Sequence, residues 1–131
     1  MSRVERLDAG SATAALASYS RAVRVGDLIF VSGALARLDT GEISHPGDAK
    51  AQAEVILDRI AAALATFGAG LDDVVETKVY VADISRWEGV GEAHGAAFRR
   101  AMPATTLLEI ARFAHPDALV EISAVAAVTA G

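Results

Sequence analysis

A chain of 131 residues closes one hydrophobic core and leaves little for a second, so positions 1–131 are expected to form a single domain. Apolar residues make up 53% but aromatics only 5%, so the core must be assembled mainly from Ala, Val, Leu and Ile, small side chains that favour close packing of helices on a sheet. A net charge of −5 with scattered arginines excludes the basic stripe of a nucleic-acid reader, and the lack of cysteine excludes disulfides, thiolate metal sites and a cysteine nucleophile together.

The start, Met-Ser-Arg-Val-Glu-Arg, is charged with no apolar signal core behind it, and no run approaches the roughly 20 apolar residues that span a bilayer. A cytoplasmic protein with no membrane partner is expected. Ser20 to Val25 and Leu28 to Ser32 flank Gly26-Asp27, a pair suited to a two-residue hairpin turn with positive φ. Arg37 to Gly47 is turn-rich and leads into a helix. From Asp48 to Phe67, Ala53, Leu57, Ile60, Leu64 and Phe67 recur at steps of four, three, four and three, one stripe on an α-helix, and Gly68 stops it.

Val75, Thr77, Val79 and Val81 alternate with Glu76, Lys78 and Tyr80, which predicts a strand with the first set on one face. Ser85-Arg86-Trp87-Glu88 has the pattern of a capping box and predicts a second helix carrying Val90, His94, Ala97, Phe98 and Ala101, ending before Pro103. Thr105 to Ala111 and Leu119 to Val128 read as two further strands joined by a loop with His115-Pro116-Asp117. The order β-β-α-β-α-β-β predicts an α+β fold with two helices on one face of a mostly antiparallel sheet. In the last strand both faces keep apolar residues: Leu119 and Val125 with Glu121 and Ser123, against Val120, Ile122, Ala124, Ala126 and Val128. A second copy of the chain is therefore expected to cover what the helices leave open.

Several motifs are ruled out. His45, His94 and His115 have no spacing that brings two imidazoles together, so no metal site is expected. Gly89-Val90-Gly91 has His94 where a dinucleotide fingerprint needs its third glycine, and no Gly-x-Ser-x-Gly elbow exists. What stands out is Glu121, a carboxylate within an apolar strand, which is costly unless it is paired or used.

Tyr19-Ser20-x-Ala22-Val23, Gly26-Asp27-x-Ile29-Phe30-Val31-Ser32-Gly33, Asp73-Val74-Val75-x-Thr77-x-Val79-Tyr80-Val81-x-Asp83, Pro103-Ala104-Thr105 and Val120-Glu121-Ile122-x-Ala124-Val125-Ala126 follow in order along the chain. Together they resemble the RidA/YjgF family. The resemblance implies a chorismate-mutase-like α+β fold, a homotrimer formed through the sheet face not covered by helices, and small-molecule clefts between subunits. Members of its active branch hydrolyse enamines and imines such as 2-aminoacrylate to a keto acid and ammonia without a cofactor. There an arginine after the Pro-Ala pair binds the substrate carboxylate, and a glutamate on the last strand handles the attacking water.

Glu121 stands at the glutamate position, but Thr105 stands at the arginine position. A hydrogen bond to a charged partner is worth about 1.5 to 3 kcal/mol, and an arginine fork makes two, which a threonine hydroxyl does not replace. Gly91 and Ala17-Ser18 also depart from the family's asparagine and Gly-Pro. The chain resembles branches that lack the arginine, for which 2-aminoacrylate deamination is not expected.

The resemblance makes Glu121 the candidate catalytic residue and Tyr19, Ser32, Gly33, Thr105, Thr106 and His94 the candidate ligand-binding residues. Each has a plainer reading. Glu121 can also be read as a structural acid held by backbone amides or a neighbouring subunit's arginine, and Tyr19 as an interface residue. Ser32-Gly33 is a strand end, Thr105 and Thr106 are ordinary β-formers, and His94 is a packing residue. Arg21 and Arg112 are stand-ins for the missing cation or members of salt bridges. The leading expectation is a deaminase or hydrolase that acts on an enamine or imine, with no cofactor and no nucleic acid. A non-catalytic metabolite-binding trimer is the alternative, and a ribonuclease or translation inhibitor fits the acidic chain least.

Overall fold

The computed structural model describes residues 3–129. The chain opens with a short strand, β1 (Val4–Leu7), and a short helix, α1 (Ala12–Ala17), which the apolar pattern did not predict. The reason is visible in β1: only Leu7 is partly buried, so no alternation marks it. The Ser11 hydroxyl caps α1 by accepting from Ala14 N at 3.1 Å, and Ser18 turns the chain out of the helix with φ 65°.

Next come β2 (Ala22–Val25) and β3 (Leu28–Ala34), in which Val25 pairs with Leu28 across the two-residue turn. Of the turn residues Gly26 alone takes a positive φ, 58°. Helix α2 (Ala49–Thr66) follows, with the Asp48 carboxylate accepting from Ala51 N at 3.0 Å, and Gly68 at φ 76° ends it as predicted. Its buried stripe also includes Gln52, which periodicity in apolar residues does not reveal. The Gln52 amide donates to the carbonyls of His45 and Asp117, both at 3.1 Å, and accepts from Leu119 N at 2.9 Å, tying the helix to the loop before the last strand.

Strand β4 (Val74–Val81) corrects one expectation. A register shift between Val74 and Glu76 sends Val74 into the core and leaves Val75 47% exposed, so only Thr77, Val79 and Val81 of the predicted face point inward. Helix α3 (Glu88–Ala97) corrects another: the capping box is not formed. The Ser85 hydroxyl is committed to the Asp83 carboxylate at 2.6 Å, Asp83 caps a 3-10 turn at Ile84–Arg86, and Trp87 occupies the start of α3 without a side-chain bond. Strand β5 (Ala104–Glu109) stops short of Ala111 because β4, its sole neighbour among the described residues, runs out where Val81 pairs with Glu109. Strand β6 (Val120–Ala127) completes the fold.

The six strands form one sheet in the order β1-β2-β3-β6-β4-β5, antiparallel throughout except for β4 and β5. Strands β3 and β4 each run antiparallel to β6 and so parallel to each other; α2 and α3 therefore both bridge parallel strands, stepping the same way across the sheet. Right-handed crossovers then put both helices on one face. Between them lies the core, with Ile29, Val31, Val79, Val120 and Ile122 from the sheet meeting Ile56, Ile60, Leu64, Val90 and Phe98. The α+β expectation holds, with three helices and six strands among the described residues where two and five were expected. No helix among the described residues is long and apolar enough to cross a membrane.

Candidate functional site

Alternation along β6 sends Val120, Ile122, Ala124 and Ala126 under the helices and leaves Glu121, Ser123 and Val125 half-buried on the opposite face. On that face Glu121 sits opposite Tyr80 of β4 and packs over Gly33 of β3. Gly33 falls where the β3–β6 register is irregular, between Val31 and Ala34. A Cβ there would lie 3.0 Å from the Glu121 Cδ and would collide with its Oε2, so the glycine makes the room that the carboxylate fills. The carboxylate accepts no hydrogen bond from the described residues. Burial pushes its pKa up from 4.5, against the opposing charge of Arg21.

Arg21 is anchored to the backbone of the same glycine. Its Nη2 donates to the Ser32 carbonyl at 2.7 Å and to the Gly33 carbonyl at 2.9 Å, while its Nε is buried with no partner. Burial and the neighbouring Arg59 hold the Arg21 pKa below the ordinary guanidinium range, while Tyr19 and Glu121 raise it. The Ser32 hydroxyl is used locally, donating to the Ser20 carbonyl at 2.8 Å. Tyr19 follows the left-handed Ser18 and keeps 43% of its surface exposed. Tyr19, Ser32, Gly33 and Glu121 are thus gathered around Arg21.

Thr105 and His94 belong elsewhere. Thr105 is in register with the buried Thr77, which puts both hydroxyls on the helix side of the sheet. Thr77 Oγ1 lies 2.9 Å from Thr105 Oγ1 and 2.8 Å from His94 Nε2, and the Thr105 hydroxyl also donates to the Pro103 carbonyl at 3.2 Å. The His94 ring packs on Phe98 with centroids 4.6 Å apart, and burial lowers its pKa from 6.5. Thr106, opposite Lys78, is exposed on the Glu121 side of the edge strand. One protomer therefore does not unite the seven candidate residues: Thr105 and His94 form a structural chain of hydrogen bonds, one sheet thickness from Glu121. Thr77, its buried link, had one signal in the sequence, a hydroxyl at an inward position of an otherwise aliphatic strand face.

Two surface clefts lie at the end of β4, one of about 530 Å³ lined by Lys50, Asp83, Arg86 and the start of α2, the other of about 480 Å³ lined by Arg112, Phe113 and His115. Glu121 lines neither, whereas Arg112 lines the second. Among the described residues no group of His, Asp and Glu is placed to hold a metal ion.

Residues 9–128 match the family model described as Endoribonuclease L-PSP. The 2-iminobutanoate/2-iminopropanoate deaminase of Escherichia coli is 33% identical over 120 residues, covering 88% of this chain and 91% of that protein. The 3-aminoacrylate deaminase RutC of Acinetobacter baylyi is 30% identical over 111 residues, covering 85% of this chain and 87% of that protein. A crystal structure of a YjgF/YER057c/UK114 family member from Mycobacterium tuberculosis matches with a TM-score of 0.86 and 41% identity over 96% of this chain and 100% of that one. The class defined by the fold is thus a six-stranded α+β protein with two crossover helices on one face. The chain belongs to the YjgF/RidA family.

Proposed function

We propose that the chain assembles as a cytoplasmic homotrimer through the sheet face that α2 and α3 leave open, and that Glu121 positions water in a cleft between subunits for cofactor-free hydrolysis of an enamine or imine. The observation that carries this reading is the Glu121 carboxylate itself, half-buried over Gly33 and without a hydrogen bond from the described residues. The deaminase names of two relatives support it. So does the open face, where Val25, Leu28 and Phe30 are each 40% exposed or more.

The chemistry asked of the acid is modest. An enamine first tautomerises to its imine. Glu121 takes a proton as water adds to the C=N carbon, and the carbinolamine returns a carbonyl compound when its nitrogen, protonated in turn, leaves as ammonia. Thr105 offers no fork for a carboxylate, so the substrate class is an enamine or imine that carries no carboxylate at that position, and 2-aminoacrylate is expected to be a poor substrate. Ammonia release from a panel of imines with and without a carboxylate tests this. Turnover of the neutral members that a Glu121→Ala variant loses is expected; turnover unchanged in that variant would exclude the mechanism.

A second reading, a non-catalytic metabolite-binding trimer, is favoured by the commitment of the Thr105 hydroxyl to Thr77 and Pro103. Saturable binding by calorimetry without turnover would select it. The ribonuclease description of the family model runs against a net charge of −5.

A further inference from the structure

We infer that Arg21 is the positioning residue of the Glu121 site: clamped onto the carbonyls of Ser32 and Gly33, it sets a fixed positive charge at the glycine on which the carboxylate rests. The inference rests on the Glu121 reading above and extends it by naming the cation whose charge works against burial in favour of the ionised acid.

Both side chains engage one residue, Gly33. Glu121 packs on the Cα of Gly33, and the Gly33 carbonyl accepts from Arg21 Nη2 at 2.9 Å. The second bond of the same nitrogen, 2.7 Å to the Ser32 carbonyl, fixes the plane of the guanidinium. Bracing two carbonyls needs only a neutral donor. A half-buried cation is a costly way to do it, and the buried Nε left with no partner among the described residues adds to that cost. The charge effect of the unpaired Glu121 carboxylate, which shares Gly33 with it, offsets part of that cost. An arginine also suits the place better than a lysine, because a buried ammonium readily gives up its proton while a guanidinium does not.

Other charges do not take this role. Thr105 is neutral and on the opposite face, and Arg112 lies in the cleft with His115. Arg59 of α2 is bonded to the Leu35 carbonyl and acts on Arg21, with Arg37 and Asp39 acting on it in turn. Facing Glu121 from β4 are Tyr80, opposite it in register, and Lys78, opposite Ser123; Tyr19 stands beside Arg21. The direction of the effects agrees: burial raises the carboxyl's pKa and Arg21 lowers it.

The test is an NMR titration of the Glu121 side-chain carboxyl in the intact protein and in Arg21→Gln and Arg21→Lys. Glutamine keeps an N–H donor for the carbonyls but removes the charge; lysine keeps the charge. The midpoint is expected to move up in R21Q and to return toward the wild-type value in R21K, with the acid limb of the kcat/KM profile moving the same way. A folded R21Q with an unchanged midpoint would overturn the inference. A second measurement needs no Arg21 variant: the Arg21 Nε resonance should follow the Glu121 titration and lose that inflection in Glu121→Gln, and an Nε signal flat through that titration would also overturn it. Neither NMR readout requires turnover. Inactivity of the protein on every imine would sink the proposed function while leaving the Arg21–Glu121 coupling measurable.

Discussion

Thr105 and Glu121 stand on opposite faces of one sheet, in register with Thr77 and Tyr80 of the shared neighbour β4. Strand alternation fixes this, so no rotamer joins them within a protomer. A cleft that uses both positions must draw them from two copies of the chain. Subunit mixing tests this. The double variant Thr105→Arg, Glu121→Ala and the wild-type chain are each expected to be nearly inactive on 2-aminoacrylate, and trimers reassembled from the two should hydrolyse it. A mixture no better than its parents would mean that the positions do not meet.

The Thr77 hydroxyl bridges His94 and Thr105 in a buried setting. Thr77→Val keeps the shape, removes both bonds and leaves the imidazole unsatisfied. A loss of about 1–3 kcal/mol in urea unfolding is expected. The His94 pKa is depressed in the fold by burial, so its neutral form contributes stability that is present above the unfolded value near 6.5 and is lost as pH falls through the lower folded value. His94→Phe should flatten that part of the stability–pH curve.

Gly33 is required for space rather than for backbone freedom, since its φ is not in the left-handed region. In Gly33→Ala the flexible carboxylate end of Glu121 gives way instead of the backbone. Stability is expected to stay within about 1 kcal/mol of wild type. Turnover of an imine substrate should fall by about 100-fold, the scale expected for a catalytic group displaced by roughly 1 Å. Retained turnover would show that the carboxylate's seat on Gly33 does not matter.

Burial raises the folded pKa of Glu121 above 4.5, so its protonated form is the one the fold favours. The associated stability is present below the unfolded value and lost as pH rises through the folded one. Glu121→Gln should therefore be more stable than wild type at neutral pH by thermal melting, with the difference closing in acid. A variant less stable than wild type at pH 7 would make Glu121 a structural acid after all.

The core was legible because α2, β4 and β6 bury side chains at the periods their sequences repeat. The stripe from Ala53 to Leu64 and the alternation from Val120 to Ala126 both lie on the buried face. What escaped were features without a period: the exposed β1, the short α1, the Val74–Glu76 irregularity and the buried amide of Gln52. Ser85 misled because Asp83, two residues earlier, competes for its hydroxyl. The candidate site was half legible for a similar reason. Glu121 announces itself as a charge in an apolar strand, whereas its relation to Arg21 is made by the pairing of β2, β3 and β6, and Thr105 shares a motif with Glu121 without sharing a face.

The most direct test is ammonia release from neutral imines and enamines by the wild-type chain and by Glu121→Gln, compared at matched oligomeric state by sedimentation. Turnover by a wild-type trimer and a loss of about 100-fold or more in an equally trimeric variant, within the range for removing a general base, is the predicted result. Equal turnover by the two proteins, or a wild-type chain that sediments as a monomer at micromolar concentration, would contradict it.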